Sequence, residues 1–118
     1  FLARADQAAY REFNFSPSCD WATYAFADYR RPGEPQESER LAPPRLSILQ
    51  TAGRVELTAE LDASALPPGN AALLVGLTAV VESDDLGDGR HSYWALHHPS
   101  ERPDFHHRAG FTWVLPTD

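Results

Sequence analysis

Four of the five histidines fall in two adjacent pairs, His97-His98 and His106-His107, close to Trp94 and Phe105. A neutral imidazole can ligate a transition metal or haem iron, or hydrogen-bond a hydroxyl group. An indole or phenyl face can carry the C–H face of a sugar ring. The spacing HH-x7-HH could therefore serve a zinc or copper centre. On a strand, however, adjacent side chains point to opposite faces, so one histidine of each pair at most reaches a common point. Two ligands do not close a structural metal site, and Asp104 or His91 would have to complete it. The structural alternative leaves one histidine of each pair exposed and the other hydrogen-bonded to loop backbone. Trp21 and Tyr24 are the outer aromatic candidates. From strand patterning alone, Trp21 and Trp94 fit better as core residues of a β-sandwich, where large aromatics are expected.

Other chemistries find less support. No Gly-flanked serine nucleophile, phosphate loop or HExxH motif is present, so the chain reads as non-catalytic. Cys19 sits in a Ser-Pro-Ser turn without a marked catalytic partner. Glu12 reads as a sheet-surface charge beside Arg11 or Arg30, and Asp20 as a turn-former. Asp84, Asp85 and Asp88 surround Gly87, but their spacing is not that of an EF-hand, and they read as a solvated hairpin tip.

These side chains must be positioned by a chain of 118 residues, the length of one domain, spanning 1–118. Hydrophobic residues make up 42%, enough for a single core. Ten prolines and seven glycines call for many turns and little long helix. A net charge of −7 argues against nucleic acid and against a polybasic membrane patch. The most apolar run, Ala71–Val81, is well short of the ~20 residues that span a bilayer. Cys19 is the only cysteine, which excludes an internal disulfide and favours a reducing, cytoplasmic compartment. A chain that opens on Phe1 and contains no methionine reads as a processed or partial product.

Period-two alternation dominates the pattern. Phe1-Leu2-Ala3 reads as a strand end, followed by a hairpin turn at Asp6-Gln7. Over Ala9–Phe15, Tyr10, Glu12 and Asn14 alternate with Arg11, Phe13 and Phe15; Trp21–Tyr29 alternates again and should pair antiparallel with it. Ser16–Asp20 is the turn between them. Arg30–Pro44, rich in proline and charge, reads as an exposed loop. Arg45–Thr51 and Arg54–Leu61 form a hairpin in which Gly53 supplies a positive φ. In its second arm Val55, Leu57, Ala59 and Leu61 face the core. Asp62 can cap a single helical turn that Pro67-Pro68-Gly69 stops. Ala71–Glu82 reads as one buried strand with a bulge or close packing at Gly76, Asp84–Gly89 as a turn, and His91–His97 and Phe111–Leu115 as the last strands. About seven strands with short turns point to an all-β antiparallel sandwich.

Two segments go beyond generic strand patterning. The first is Tyr10-Arg11-Glu12-Phe13-Asn14-Phe15-Ser16-Pro17-Ser18-Cys19-Asp20-Trp21, continuing to Tyr29-Arg30. The second is Tyr93-Trp94-Ala95-Leu96-His97-His98-Pro99 with Pro103-Asp104-Phe105-His106-His107 and Gly110-Phe111. In this order and spacing the pair resembles the bacterial DOMON-like domains, relatives of family 9 carbohydrate-binding modules. The resemblance implies an immunoglobulin-like β-sandwich that binds a small ligand, a sugar or haem. It also implies that the module lacks its N-terminal strands here, which would leave an open sheet edge prone to self-association or to strand addition from another chain. Cys19 departs from the family pattern, which favours glycine at that turn position. The absence of methionine counts against the haem mode, whose second axial ligand in such domains is Met. The expected site comprises Trp94, His97, Phe105 and His106, with Trp21 and Tyr24 further out; the expected ligand is a saccharide, the alternatives are haem or a metal held by histidine, or a structural or partner-binding module without a small ligand, and no resident cofactor is required.

Overall fold

A computed structural model describes residues 1–84 and 90–116. The protein is mostly β, built from antiparallel sheets with one short helix. Strands β1 (Leu2–Arg4), β2 (Tyr10–Phe15), β3 (Trp21–Asp28) and β4 (Arg31–Pro32) lie side by side in chain order. On the far side of β1 lie β7 (Leu73–Val75) and then β10 (Trp113–Leu115), completing a six-stranded sheet in the order β10-β7-β1-β2-β3-β4. The remaining strands form two separate hairpins: β5 (Arg45–Thr51) with β6 (Arg54–Glu60), and β8 (Thr78–Ser83) with β9 (Arg90–Ala95).

The alternation read from the sequence fixes the sheet's two faces. Tyr10 pairs with Phe26 and Ala3, and Glu12 with Tyr24, so Ala3, Tyr10, Glu12, Tyr24 and Phe26 share one face. On that face Ala3, Tyr10 and Phe111 are buried, and Phe1, Phe26 and Leu74 pack against them. The Tyr10 and Phe26 rings stack at 4.9 Å. On the opposite face, Arg11 reaches the 3-10 turn Ala63–Ala65 and donates to the carbonyls of Ala65 and Leu66, each at 2.7 Å. Buried Arg4 donates to the carbonyls of Pro67 at 2.9 Å and Ala71 at 2.8 Å. These bonds satisfy the guanidinium groups and pin the proline-rich loop under the sheet.

Local chemistry accounts for the turns. Gly53 turns the β5–β6 hairpin at φ 79°, and Asp62 accepts from the Ser64 amide to cap the 3-10 turn, both as expected. Residues 57, 59 and 61 of the second arm are half-buried, whereas Val55 is exposed. Cys19 adopts φ 66°, a left-handed conformation that favours glycine. The turn is held by Ser16 N–H donating to the Asp20 carbonyl and by Ser18 Oγ donating to Asp20.

Two expectations are corrected. Arg30–Pro44 is not wholly loop: it holds β4 and the helix α1 (Pro35–Glu39). Pro35 enters at the first helical turn, where its missing N–H costs nothing, and Ser38 Oγ accepts from the Ala25 amide at 2.9 Å, docking the helix on β3. Ala71–Glu82 is not one strand but two, β7 and β8, assigned to different sheets. The break is at Gly76, where an added Cβ would lie 2.7 Å from the Phe111 ring. The close approach expected at Gly76 is therefore present; Gly76 still exchanges two backbone hydrogen bonds with Phe1, and β8 begins two residues further on. The next strand stops at Ala95 rather than His97, and the last begins at Trp113 rather than Phe111. Of the acidic Asp84–Gly89 turn, residues 85–89 lie outside the described residues.

The layers stand open. The radius of gyration is 15.3 Å, against ~13.5 Å for a compact domain of this length. Leu77, Val80, Tyr93 and Trp94 are about half exposed or more, with Trp94 at 63%. A trough of about 860 Å³ separates the six-stranded sheet from the two hairpins.

Candidate functional site

The polar groups of the trough gather at one end, around His106. Its ring sits among Phe1, Tyr10 and Phe26, with edge contacts at 5.1, 5.8 and 5.0 Å. Its Nδ1 lies 2.7 Å from Tyr10 Oη, and its Nε2 lies 3.6 Å from Glu12 Oε2. Tyr10 Oη also accepts from the backbone N–H of Arg30 at 3.0 Å. The Glu12 carboxylate beside Nε2 accepts, so we assign the neutral imidazole proton to Nε2, facing it; Nδ1 then accepts from the Tyr10 phenol. Burial lowers the His106 pKa; Glu12 opposes this and Arg30 adds to it, leaving the net shift downward. The Tyr10 phenol is pushed up, again mainly by burial.

A second cluster holds the loop that carries His106. Arg30 donates to Tyr29 Oη at 3.2 Å and to Asp104 Oδ1 at 2.8 Å, and Tyr29 donates to Asp104 Oδ2. Burial works against the charged form of Asp104, but the bonds from Tyr29 and Arg30, with the Arg30 charge, outweigh it and lower its pKa. The Arg30 pKa is raised, first by the bond with Tyr29 and then by that with Asp104. Arg30 adopts φ 51°. A non-glycine residue in the left-handed region is strained, and here that conformation aims the amide at Tyr10 while the guanidinium reaches Asp104.

The trough is lined by the polar residues Glu12, Asn14, Arg30 and His106 and by the rings of Tyr93 and Phe105, with Phe13 bordering it from the other face of β2. Tyr93 and Phe105 have ring centroids 6.3 Å apart. A carboxylate, an amide and a guanidinium can each bond the hydroxyls of a small polar ligand, with the His106 imidazole orienting Glu12, while the rings cover its apolar face.

The structure brings together part of the sequence-predicted site. Phe105 and His106 line the trough. Trp94 does not: it pairs with Ala79 on the face of β9 alternate to Tyr93, and of the two only Tyr93 lines the trough. The Trp94 indole donates to Ser92 Oγ at 2.9 Å and is otherwise open to solvent. His97 is exposed just past β9, and Trp21 and Tyr24 are exposed on β3. The four histidines also part ways. His107 accepts from the Ala109 amide and caps a 3-10 turn, and His98 Nε2 lies 3.1 Å from the Tyr93 carbonyl. Among the described residues no three of His, Cys, Asp or Glu are grouped to hold a metal ion.

Glu12 is the residue that sequence reasoning misplaced. It faces His106 rather than an arginine, with its side chain only 16% exposed. The signal was present in the alternation, which puts Glu12 on the face of Tyr10. Asp104 was read only as a completing metal ligand and Arg30 only as a partner for Glu12, and Tyr10 not as a site residue, because their contacts with this loop lie 74 to 96 residues away in sequence.

No family model matches this chain, and no curated protein or solved structure is significantly similar to it.

Proposed function

We propose that the protein is a non-catalytic binding module that takes a small saccharide at the polar end of the trough. In this reading the fold is an immunoglobulin-like sandwich, with the six-stranded sheet as one layer and the β5–β6 and β8–β9 hairpins as parts of the other. The resemblance of the Tyr10–Trp21 and Tyr93–Phe111 segments to DOMON-like and family 9 carbohydrate-binding modules points the same way. The observation that carries the proposal is the pairing of a polar cluster, Glu12, Asn14, Arg30 and His106, with the rings of Phe13, Tyr93 and Phe105 around one cavity. Sugar binding needs both: directional partners for hydroxyls and flat apolar surface for C–H faces.

Binding rather than turnover suits the state of His106. Both ring nitrogens are directed at protein groups, Tyr10 and Glu12, which supports a role as an orienting group. The site residues are therefore Phe105 and His106 from the expected set, with Glu12, Asn14, Arg30, Phe13 and Tyr93 added; Trp94, His97, Trp21 and Tyr24 lie outside it. Titration calorimetry against a panel of mono- and oligosaccharides tests the proposal. A saturable heat that is lost in Glu12→Gln but kept in Trp94→Ala supports it. Absence of binding across the panel, or loss in Trp94→Ala alone, refutes it.

A further inference from the structure

The loop that follows β9 is fastened to the sheet in two ways. At its far end Arg108 donates to the Arg4 carbonyl at 2.5 Å and Phe111 is buried. In its middle, residues 104–107 are held by Tyr10 and by the turn Tyr29-Arg30. The middle fastening is a chain of bonds that meets at one hydroxyl. Tyr10 Oη accepts from the Arg30 amide at 3.0 Å and donates to His106 Nδ1 at 2.7 Å. The same Arg30 bonds Asp104 through its guanidinium, at a left-handed φ of 51° that lasts only while its contacts hold it.

We propose that His106 is a proton-operated latch: proton uptake at Nδ1 frees residues 104–107 from the sheet, while Arg108 and Phe111 stay seated. This inference does not rest on the saccharide reading. A proton on Nδ1 turns the acceptor of the Tyr10 bond into a donor, so two donors face each other. Oη can accept from Nδ1 only if its own proton turns away. Tyr10 is 4% exposed, and beyond His106 and the Arg30 amide its hydroxyl has no hydrogen-bond partner among the described residues. The closed arrangement therefore leaves a donor unmade, which is costly in a buried place. Swinging the charged ring to water removes that cost. It also ends the hold on the Arg30 amide, and a relaxed Arg30 carries its guanidinium off Asp104. Tyr10 and Glu12 face the ring from β2, Arg30 from the turn after β3, Asp104 from its own loop and the Phe1 amino group from beside β1; the rings of Phe26 and Phe1 carry no charge. Burial, Arg30 and the amino group oppose a charge in this place, against Glu12 and Asp104. Phe105 lies in the freed segment, so the latch also sets whether Phe105 and His106 line the trough.

The experiment follows amide exchange by NMR from about pH 7.5 to about pH 5, corrected for the pH dependence of exchange itself, beside the His106 ring titration. The expected result is that the Arg30 amide loses protection with a midpoint that follows the ring. A freed turn frays, so the His106 and His107 amides, which bond Asp104, lose protection with it. A free imidazole at 6.5 caps the loss at about thirtyfold near pH 5. The Phe111 amide and the β2–β3 ladder keep their protection. Glu12→Gln removes a charge that favours the protonated ring, so it moves ring titration and opening together to lower pH; His106→Gln abolishes the pH dependence. Constant Arg30 protection across this range overturns the proposal. So does an equal loss in His106→Gln, or a parallel loss in the β2–β3 ladder, which would be global unfolding.

Discussion

The hydroxyl of Tyr10 links three parts of the fold, so Tyr10→Phe isolates what that link contributes. Tyr10 is 4% exposed, and its ring contacts with Phe26, Phe1 and Phe111 survive the change. What disappears is one oxygen. The Arg30 amide loses its acceptor at 3.0 Å, and His106 Nδ1 loses its donor at 2.7 Å. Two net hydrogen bonds, one leaving a strained residue's amide without this partner, amount to ~1–3 kcal/mol. Urea unfolding should show the midpoint falling with an unchanged slope, since the surface exposed on unfolding is the same. The His106 ring reports independently. Donation to Nδ1 favours the neutral imidazole, so its loss should raise the His106 pKa, read from ring proton shifts. Unchanged stability together with an unchanged His106 titration would refute the tautomer and the Tyr10 bridge on which the site rests.

Three further outcomes follow from the same structure. Because burial, with Glu12 and Asp104 opposing and Arg30 and the Phe1 amino group adding, holds His106 below its ordinary 6.5, the folded state binds its proton more weakly than the unfolded chain. Stability from this group is therefore complete above pH 6.5 and falls as pH drops through the lowered folded value. The His106 ring shifts are the readout, and a folded pKa above 6.5 would contradict it. Gly76→Ala puts a Cβ 2.7 Å from the Phe111 ring and should cost ~1–3 kcal/mol by overpacking; a neutral midpoint shift would contradict the packing at the β7–β8 break. Cys19→Gly relieves the left-handed φ of 66° and should stabilise by up to ~1 kcal/mol, with a rise in melting temperature as the check and a fall as the contrary result.

Local signals made much of this fold legible, and long-range ones did not. The β2–β3 ladder was readable because Tyr10–Phe15 and Trp21–Asp28 alternate around a turn with Pro17 and Asp20. The β5–β6 hairpin was readable from Gly53, and the capped 3-10 turn from Asp62. The division into β7 and β8 was not, because Val75, Thr78 and Val80 read as continuous strand, and the ring packed on Gly76, that of Phe111, comes 35 residues later. Helix α1 was hidden by its prolines, although Pro35 is suited to a first turn. At the site, residue type drew attention to Trp94 and His97, and position decided otherwise. The exposed indole belongs to the face of β9 alternate to Tyr93. Conversely Glu12 looked like surface charge until the fold laid His106 over it.

The most direct test follows the His106 ring resonances and the amides of Glu12, Phe13, Asn14 and Tyr93 by NMR while saccharides are added. The trough reading predicts that a binding sugar shifts these signals together and leaves Trp94 and Trp21 unmoved, with the effect lost in Glu12→Gln. Shifts confined to Trp94, His97, Trp21 and Tyr24, or no shift with any sugar, would contradict it.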